Sequence, residues 1–184
     1  MSRKSVHFET GTHQKEGERI MPWQVTELTP LVSEPMQLVY LSGRIDGLTL
    51  DVCGGWRKTA KNLLYPDVGV LNPLRGKELP PGPLNNGAIV GKFGCSDKEI
   101  VTRDILDIKR CDAMLLYLVD AGNLSVGTLV ELGYAAALHK PIFTVIDDSV
   151  RNPFNNRWIR ELSTMRFSDL NLAIKTIKFT FSTG

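Results

Sequence analysis

The strongest constraint on the fold is an apolar run at residues 112–119, DAMLLYLV. A strand that is apolar on both faces is typical of the centre of a parallel sheet that helices cover on both sides. A second run of this kind, PIFTVI at residues 141–146, follows after one helix-length segment. Because parallel strands need a long crossover between them, this order of segments predicts a strand, a helix and a second parallel strand.

The rest of the chain continues this alternation. Further strands are predicted at residues 36–41 and 68–71, and helices at residues 56–64, 96–110 and 125–138, within 152–163, and at 168–177. We therefore predict an α/β fold, with a doubly wound, mostly parallel sheet in a single domain. Ligands in such sheets bind outside the carboxyl ends of the strands, so the loops after the strands should share one crevice.

Two segments fit no regular element. Residues 1–34 are polar and lack periodicity. We interpret them as an N-terminal extension, partly disordered or draped on the surface of a domain at residues 35–184. Residues 72–94 are rich in Pro and Gly. A loop of that length in a compact domain is usually functional or mobile, and we expect it to cover the substrate.

Composition excludes several classes of function. The formal net charge is only +2, the three cysteines lack a zinc-like CxxC spacing, and the dinucleotide fingerprint GxGxxG is absent. No apolar run approaches the roughly 18 residues that a membrane span needs. We therefore expect a cytoplasmic protein that acts on a small molecule and uses no nucleic acid, membrane, metal or cofactor.

One carboxylate stands out in the predicted helix at residues 125–138. Glu131 lies among Gly, Ala, Leu and Val, where a buried carboxylate is unfavourable unless it has a function. The alternative is a surface residue whose neighbours are merely small. The helix begins near Ser125 and Gly127, where unpaired backbone N–H groups could bind an anion.

A second carboxylate lies in the helix before the central strand. Asp104 shares one helix face with Ile100 and Ile108, whereas Asp107, with Arg103 and Asp104 behind it, is expected off that apolar stripe. The alternative for Asp104 is a structural ion pair with a Lys or Arg. Together with Glu131, however, it could divide nucleophile and acid/base roles, as in retaining glycosidases.

The first predicted strand runs into a loop bracketed by glycines, SGRIDG at residues 42–47. Glycine lets the backbone approach a ligand closely, so Gly43, Arg44 and Asp46 are candidate substrate-binding residues. For Arg44 the alternative is a solvated loop residue. Trp56, shortly after this loop, could stack on a base, but packing against the sheet is the favoured interpretation.

The segments SVGTLVELGYA, RDILDIKRCDAMLLYLVD and VYLSGRIDG together resemble the nucleoside 2-deoxyribosyltransferase family and the related nucleotide N-glycosidases, over about residues 36–160. The resemblance implies a Rossmann-like (flavodoxin-like) fold in which Glu131 attacks the anomeric carbon. It implies that Asp104 positions the nucleophile or moves a proton to the departing base, and that Tyr40 lies close to the nucleophile. Asn155 resembles a residue often lent to a neighbouring subunit, so a homodimer or larger homo-oligomer is expected.

Ser125 departs from the transferase pattern. Deoxyribosyltransferases typically carry an Asp there that holds the sugar 5'-hydroxyl, and the relatives that hydrolyse nucleoside 5'-monophosphates resemble this chain at that position. An Asp would repel a 5'-phosphate, whereas a Ser hydroxyl beside free helix N–H groups could bind one. Arg44, with Arg57 as a second candidate, could supply the positive charge.

The leading hypothesis is cleavage of the N-glycosidic bond of a (deoxy)nucleoside 5'-monophosphate, through a glycosyl-Glu131 intermediate that water resolves. The nearest alternative is base exchange between deoxynucleosides by the same nucleophile. A third possibility is a non-catalytic nucleotide-binding module. The presence of both Asp104 and Glu131 favours an enzyme, because phosphate binding alone requires neither carboxylate.

Overall fold

The computed structural model describes residues 36–77, 82–84, 96–119, 125–147, 152 and 155–182. Glu34–Gly184 form one compact unit. The predicted extension at residues 1–34 lies outside the described residues, as does most of the predicted loop at residues 72–94. The strands and helices described for this unit lie between Leu38 and Phe181.

Five strands in the described residues form one sheet in which every pairing is parallel. The strands are β1 (Leu38–Gly43), β2 (Gly69–Leu71), β3 (Ala113–Tyr117), β4 (Ile142–Val145) and β5 (Met165–Phe167). The helices are α1 (Leu50–Leu64), α2 (Asp97–Arg110), α3 (Val126–Ala137), α4 (Arg157–Leu162) and α5 (Leu170–Phe181). The order across the sheet is β2-β1-β3-β4-β5, so the predicted doubly wound, flavodoxin-like α/β fold is confirmed.

Two apolar layers cover the two faces of the sheet. Alternation along β1 turns Val39 and Leu41 toward a cluster that includes residues of α1 and α5. It turns Tyr40 toward the opposite cluster, which includes residues of α2, α3 and α4. The chain runs outward from β1 to β2 and then crosses back to β3. The carboxyl ends of β1 and β3 therefore flank the switch point where ligands bind in such sheets.

Two elements differ from the prediction. The helix expected to start at residue 56 begins at Leu50, because burial of Cys53 and Trp56 outweighs the low helix propensity of Gly54 and Gly55. The strand Met165–Phe167 was not predicted at all. It is a three-residue edge strand whose residues are half-buried or exposed, so it has no apolar run to reveal it.

The two helices that carry the candidate carboxylates, α2 and α3, both begin at a capping residue. A capping box is present at the start of α2, where the Ser96 and Glu99 side chains each accept from the other residue's backbone N–H. Ser125 caps α3, where its hydroxyl accepts from the N–H of Thr128. Among the described residues, none of the helices combines the length and the apolar character that a bilayer crossing requires.

Candidate active site

Glu131 lies on α3 against the carboxyl end of β1. Tyr40 and Ser42 are two residues apart on β1, so their side chains leave the strand on the same face. The Tyr40 hydroxyl donates to one oxygen of the Glu131 carboxylate at 2.8 Å. The Ser42 hydroxyl donates to the other oxygen at 2.6 Å. Both oxygens of this carboxylate are thus held in a fixed orientation by two side chains that are themselves fully buried.

Burial has the largest effect on the pKa of the Glu131 carboxyl group. It raises the pKa of Glu131 to about 6, against the hydrogen bonds from Ser42 and Tyr40, which favour the charged form. Burial and the charge of Glu131 raise the pKa of Tyr40 far above its usual range. Tyr40 therefore remains a hydrogen-bond donor at every physiological pH. Glu131 is mostly ionised at neutral pH while its carboxylate is poorly solvated, which suits a nucleophile.

Asp104 lies on α2 and is coupled to the same site. Its charge contributes to the raised pKa values of both Glu131 and Tyr40. Burial raises the pKa of Asp104 itself, and the neighbouring cations Arg103 and Lys77 oppose that shift. Asp104 also forms an ion pair with Arg103 at 3.3 Å, so it has the structural partner that the alternative interpretation required. The charge of Asp104 nevertheless acts on Glu131.

The expectation that Asp107 lies off the apolar stripe of α2 is wrong, because only 1% of the residue is exposed. Arg75 donates to Asp107 Oδ1 at 2.8 Å and contacts Oδ2 with its second guanidinium nitrogen. Arg110, one helical turn further on, also pairs with Asp107 at 2.8 Å. Two arginines compensate the buried charge, and one of them comes from the loop after β2, which helix periodicity could not reveal.

The start of α3 carries the candidate phosphate-binding residues Ser125 and Gly127. The Ser125 hydroxyl accepts from the N–H of Thr128 at 3.4 Å and thus serves the helix as its cap. Ser125 is half-buried and Gly127, in the first turn, is exposed. The helix N-terminus therefore presents an accessible surface in the same helix that carries Glu131, one and a half turns further on.

The loop after β1 holds Arg44 and Asp46. Arg44 is half-buried and donates from Nε to the backbone carbonyl of Asp46 at 2.9 Å. The next residue, Gly47, has a φ of 73°, which glycine adopts without strain. Its N–H donates to the carbonyl of Leu84 at 2.5 Å, and the N–H of Leu84 donates to the carbonyl of Leu48 at 2.9 Å. A described part of the predicted long loop is thus tied to the loop after β1.

Gly43 and Arg57 have packing roles. A Cβ at Gly43 would lie 2.9 Å from the Trp56 ring and 3.0 Å from the Tyr117 carbonyl, so only glycine fits. Arg57 is fully buried and donates to the carbonyls of Cys53 at 2.5 Å and Gly43 at 2.7 Å. Burial lowers the pKa of Arg57 to about 10, which leaves it charged. Arg57 therefore holds the end of β1 at Gly43 through its buried guanidinium and does not present its charge at the surface.

Two further sequence predictions concern Trp56 and Asn155. Trp56 stacks on Tyr117 with ring centres 4.7 Å apart, in agreement with packing against the sheet. The Asn155 side-chain oxygen accepts from Arg166 at 3.1 Å, and its backbone N–H donates to the carbonyl of Asn152 at 2.9 Å. These contacts hold Asn155 beside β5, while Tyr40, Asp104 and Glu131 are brought together across β1, α2 and α3.

Ser42 was not predicted to be a functional residue. The signal was available, because a polar residue two positions after Tyr40 on a buried strand must point to the same side. Among the residues that the structure describes, no group of three His, Cys, Asp or Glu side chains could hold a metal ion.

Comparison with known proteins places the chain in a family. The family model described as nucleoside 2-deoxyribosyltransferase matches residues 66–173, which include Asp104, Ser125, Glu131 and Asn155. Among curated protein sequences, none matches the chain significantly.

Solved structures with similar folds have low sequence identity to this chain. A conserved protein from Enterococcus faecalis V583 superposes with a TM-score of 0.59 at 17% identity, over 79% of this chain and 99% of its own. The CMP N-glycosidase BcmB from Clostridium botulinum gives 0.50 at 15%, over 78% of this chain and 99% of its own. A molybdenum cofactor binding protein from Rippkaea orientalis gives 0.51 at 14%, over 82% and 100%. These likenesses confirm the fold, and the family match goes further: the chain belongs to the nucleoside 2-deoxyribosyltransferase family, whose members are enzymes acting on nucleosides.

Proposed function

We propose that the protein cleaves the N-glycosidic bond of a (deoxy)nucleoside 5'-monophosphate by a two-step mechanism with retention. The observation that carries this proposal is the Glu131 carboxylate, held by Tyr40 at 2.8 Å and Ser42 at 2.6 Å. A structural carboxylate would be expected to pair with a cation. This one instead accepts from two neutral hydroxyls, which orient it without neutralising its charge.

In the first step a Glu131 oxygen attacks C1' as the bond from C1' to the base nitrogen breaks. The electron pair of that bond leaves with the base, which takes a proton from Asp104 or from water. The product is a glycosyl ester of Glu131. In the second step water attacks C1' and gives up a proton to Asp104 or to solvent, while the ester bond breaks and its electron pair regenerates the Glu131 carboxylate.

Tyr40 and Ser42 act differently in the two steps. In the first step their hydrogen bonds fix the carboxylate, although they also withdraw electron density from it. In the second step the carboxylate is the leaving group, and the same two donors stabilise the negative charge that develops on it. The buried hydroxyls therefore favour turnover of the intermediate, at the expense of some nucleophilicity in its formation.

The proposed phosphate site consists of the α3 N-terminus at Ser125 and Gly127, with Arg44 as the cation. The accessible start of α3 supports this, because unpaired N–H groups at a helix start bind anions. Asp46 would add opposing charge if its side chain turned toward the phosphate. We assign Arg57 no direct contact with substrate, since it is fully buried.

A second candidate function is base exchange between deoxynucleosides, in which an acceptor base replaces water. The family match favours it directly. The choice of hydrolysis over transfer rests on Ser125, where an Asp would repel a 5'-phosphate. A non-catalytic binding module would have the same fold, but it would not need the pair formed by Asp104 and Glu131.

Incubation with a panel of nucleosides and nucleoside 5'-monophosphates, with and without an acceptor base, tests these functions. Free base is followed by chromatography. We expect release of base from monophosphates without acceptor, and none from the Glu131→Ala variant. Exchange on unphosphorylated deoxynucleosides only would replace the hydrolase assignment by the transferase one. Tight binding without turnover across the panel would favour the binding module.

A further inference from the structure

The side chain of Arg103 connects the candidate acid/base residue to the loop after β2. Its Nη2 donates to the Pro73 carbonyl at 2.5 Å and to Asp104 Oδ1 at 3.3 Å. Its Nη1 donates to the Arg75 carbonyl at 3.3 Å. One guanidinium therefore contacts the Asp104 carboxylate and two backbone carbonyls of a neighbouring segment.

That segment is itself fixed on α2 by a second contact. Arg75 pairs through both terminal guanidinium nitrogens with the buried Asp107, which lies one turn after Arg103 on α2. Leu74, between the two carbonyls, packs in a small apolar cluster with Cys53 of α1. The carbonyls that accept from Arg103 are thus anchored independently of Arg103, and they hold its guanidinium in place beside Asp104.

We propose that Arg103 is a positioning residue, which orients the Asp104 carboxyl group by tying it to the loop after β2. The proposal rests on the proposed function, in which Asp104 serves the reaction. It also explains why Asp104 has an arginine partner yet remains available. A guanidinium that divides its donors between carbonyls and one carboxylate oxygen leaves the other oxygen outside the ion pair.

The charges around Asp104 determine the sign of the expected effect. Burial raises the pKa of Asp104, and Arg103 is the largest contribution that opposes it, followed by Lys77. Asp107, on the same helix, raises the pKa further. The charge of Asp104 acts in turn on groups of other elements, namely Tyr40 of β1, Arg57 of α1 and Glu131 of α3. Loss of the Arg103 charge should therefore move protonation of Asp104 to higher pH.

Three variants separate positioning from a merely structural role. Arg103→Met keeps much of the length and removes both the charge and the donors. Arg103→Lys keeps the charge but cannot bridge the carbonyls and the carboxylate as a planar fork does. Lys109→Met is the matched control, because it removes a cation from an exposed position on the same helix.

The first measurement is titration of the Asp104 carboxyl carbon by NMR, which does not depend on activity. We expect its midpoint to rise in Arg103→Met and to stay near that of the parent protein in Arg103→Lys and Lys109→Met. The second is the pH profile of kcat/KM for base release. We expect Arg103→Lys to lower kcat/KM by roughly tenfold without moving the profile, because misplaced groups react slowly.

Unchanged Asp104 titration in Arg103→Met would overturn the proposal, as would loss of thermal stability in Arg103→Met while the pH profile of that variant stays in place. If Arg103→Met does not fold, Arg103→Lys decides: parent-like kcat/KM in that variant would also overturn the proposal. Failure of the proposed function is a separate result. It would appear as no base release by the parent protein, whereas the NMR titration would still report on Arg103.

Discussion

Replacing Ser42 by alanine tests the central contact of the site with little change of volume. The substitution deletes a hydrogen bond of 2.6 Å to Glu131 and leaves the bond from Tyr40 in place. Hydrogen bonds to charged groups contribute about 1.5–3 kcal/mol. One pH unit corresponds to about 1.4 kcal/mol, so the pKa of Glu131 should rise by about one to two units in the variant.

The consequence for the rate follows from the ionised fraction. With a pKa of about 6, the Glu131 carboxylate is mostly ionised at neutral pH. A rise by about one to two units would lower kcat/KM at pH 7 by about two- to tenfold through ionisation alone. At about pH 9 the loss should largely disappear, because the carboxylate is again charged. The acidic limb of the profile should therefore shift without a matching loss at its plateau.

The assay is the pH dependence of base release, with Ser163→Ala as the matched control. Ser163 also has a partly buried hydroxyl with two hydrogen bonds, to Thr144 at 2.7 Å and to the Ile159 carbonyl at 2.5 Å, but it lies away from Glu131. We expect the control to lose stability and keep the parent profile. An acidic limb that does not move in Ser42→Ala would refute the claim that Ser42 tunes the nucleophile.

Two further predictions concern stability and assembly. The pKa of Glu131 lies at about 6 in the folded protein, above its ordinary 4.5. Ionisation should therefore destabilise the fold by about 2 kcal/mol as pH rises through that window. Glu131→Gln should gain that amount relative to the parent between about pH 4 and pH 7 in denaturant unfolding, and parallel pH dependences would contradict this. If Asn155 serves a neighbouring subunit, mixing the inactive variants Glu131→Ala and Asn155→Ala should restore about a quarter of parent activity in a statistically mixed dimer. Dimers by light scattering with no recovery would argue against that role.

Much of the fold could be predicted from the sequence because the central strands are apolar on both faces. Apolar runs such as residues 112–119 and 141–146 are typical of strands inside a parallel sheet that is covered on both faces. Such a sheet requires helices between its consecutive strands. The capping box at Ser96 was equally local. Elements without a local signal were missed or misplaced, as with the short edge strand Met165–Phe167 and the glycine-containing start of α1 at Leu50.

The sequence by itself determined that Glu131 is an unusual carboxylate in an apolar helix and that Asp104 shares a helix face with isoleucines. Only the tertiary structure decided which groups act on them. Ser42 and Tyr40 lie 89 and 91 residues before Glu131 in the sequence, yet both donate hydrogen bonds to its carboxylate. Arg103 and Asp107 meet the loop after β2 in the same way. Hydrogen bonds and desolvation act through space, so the protonation and orientation of both carboxylates depend largely on contacts between residues that lie far apart in the sequence.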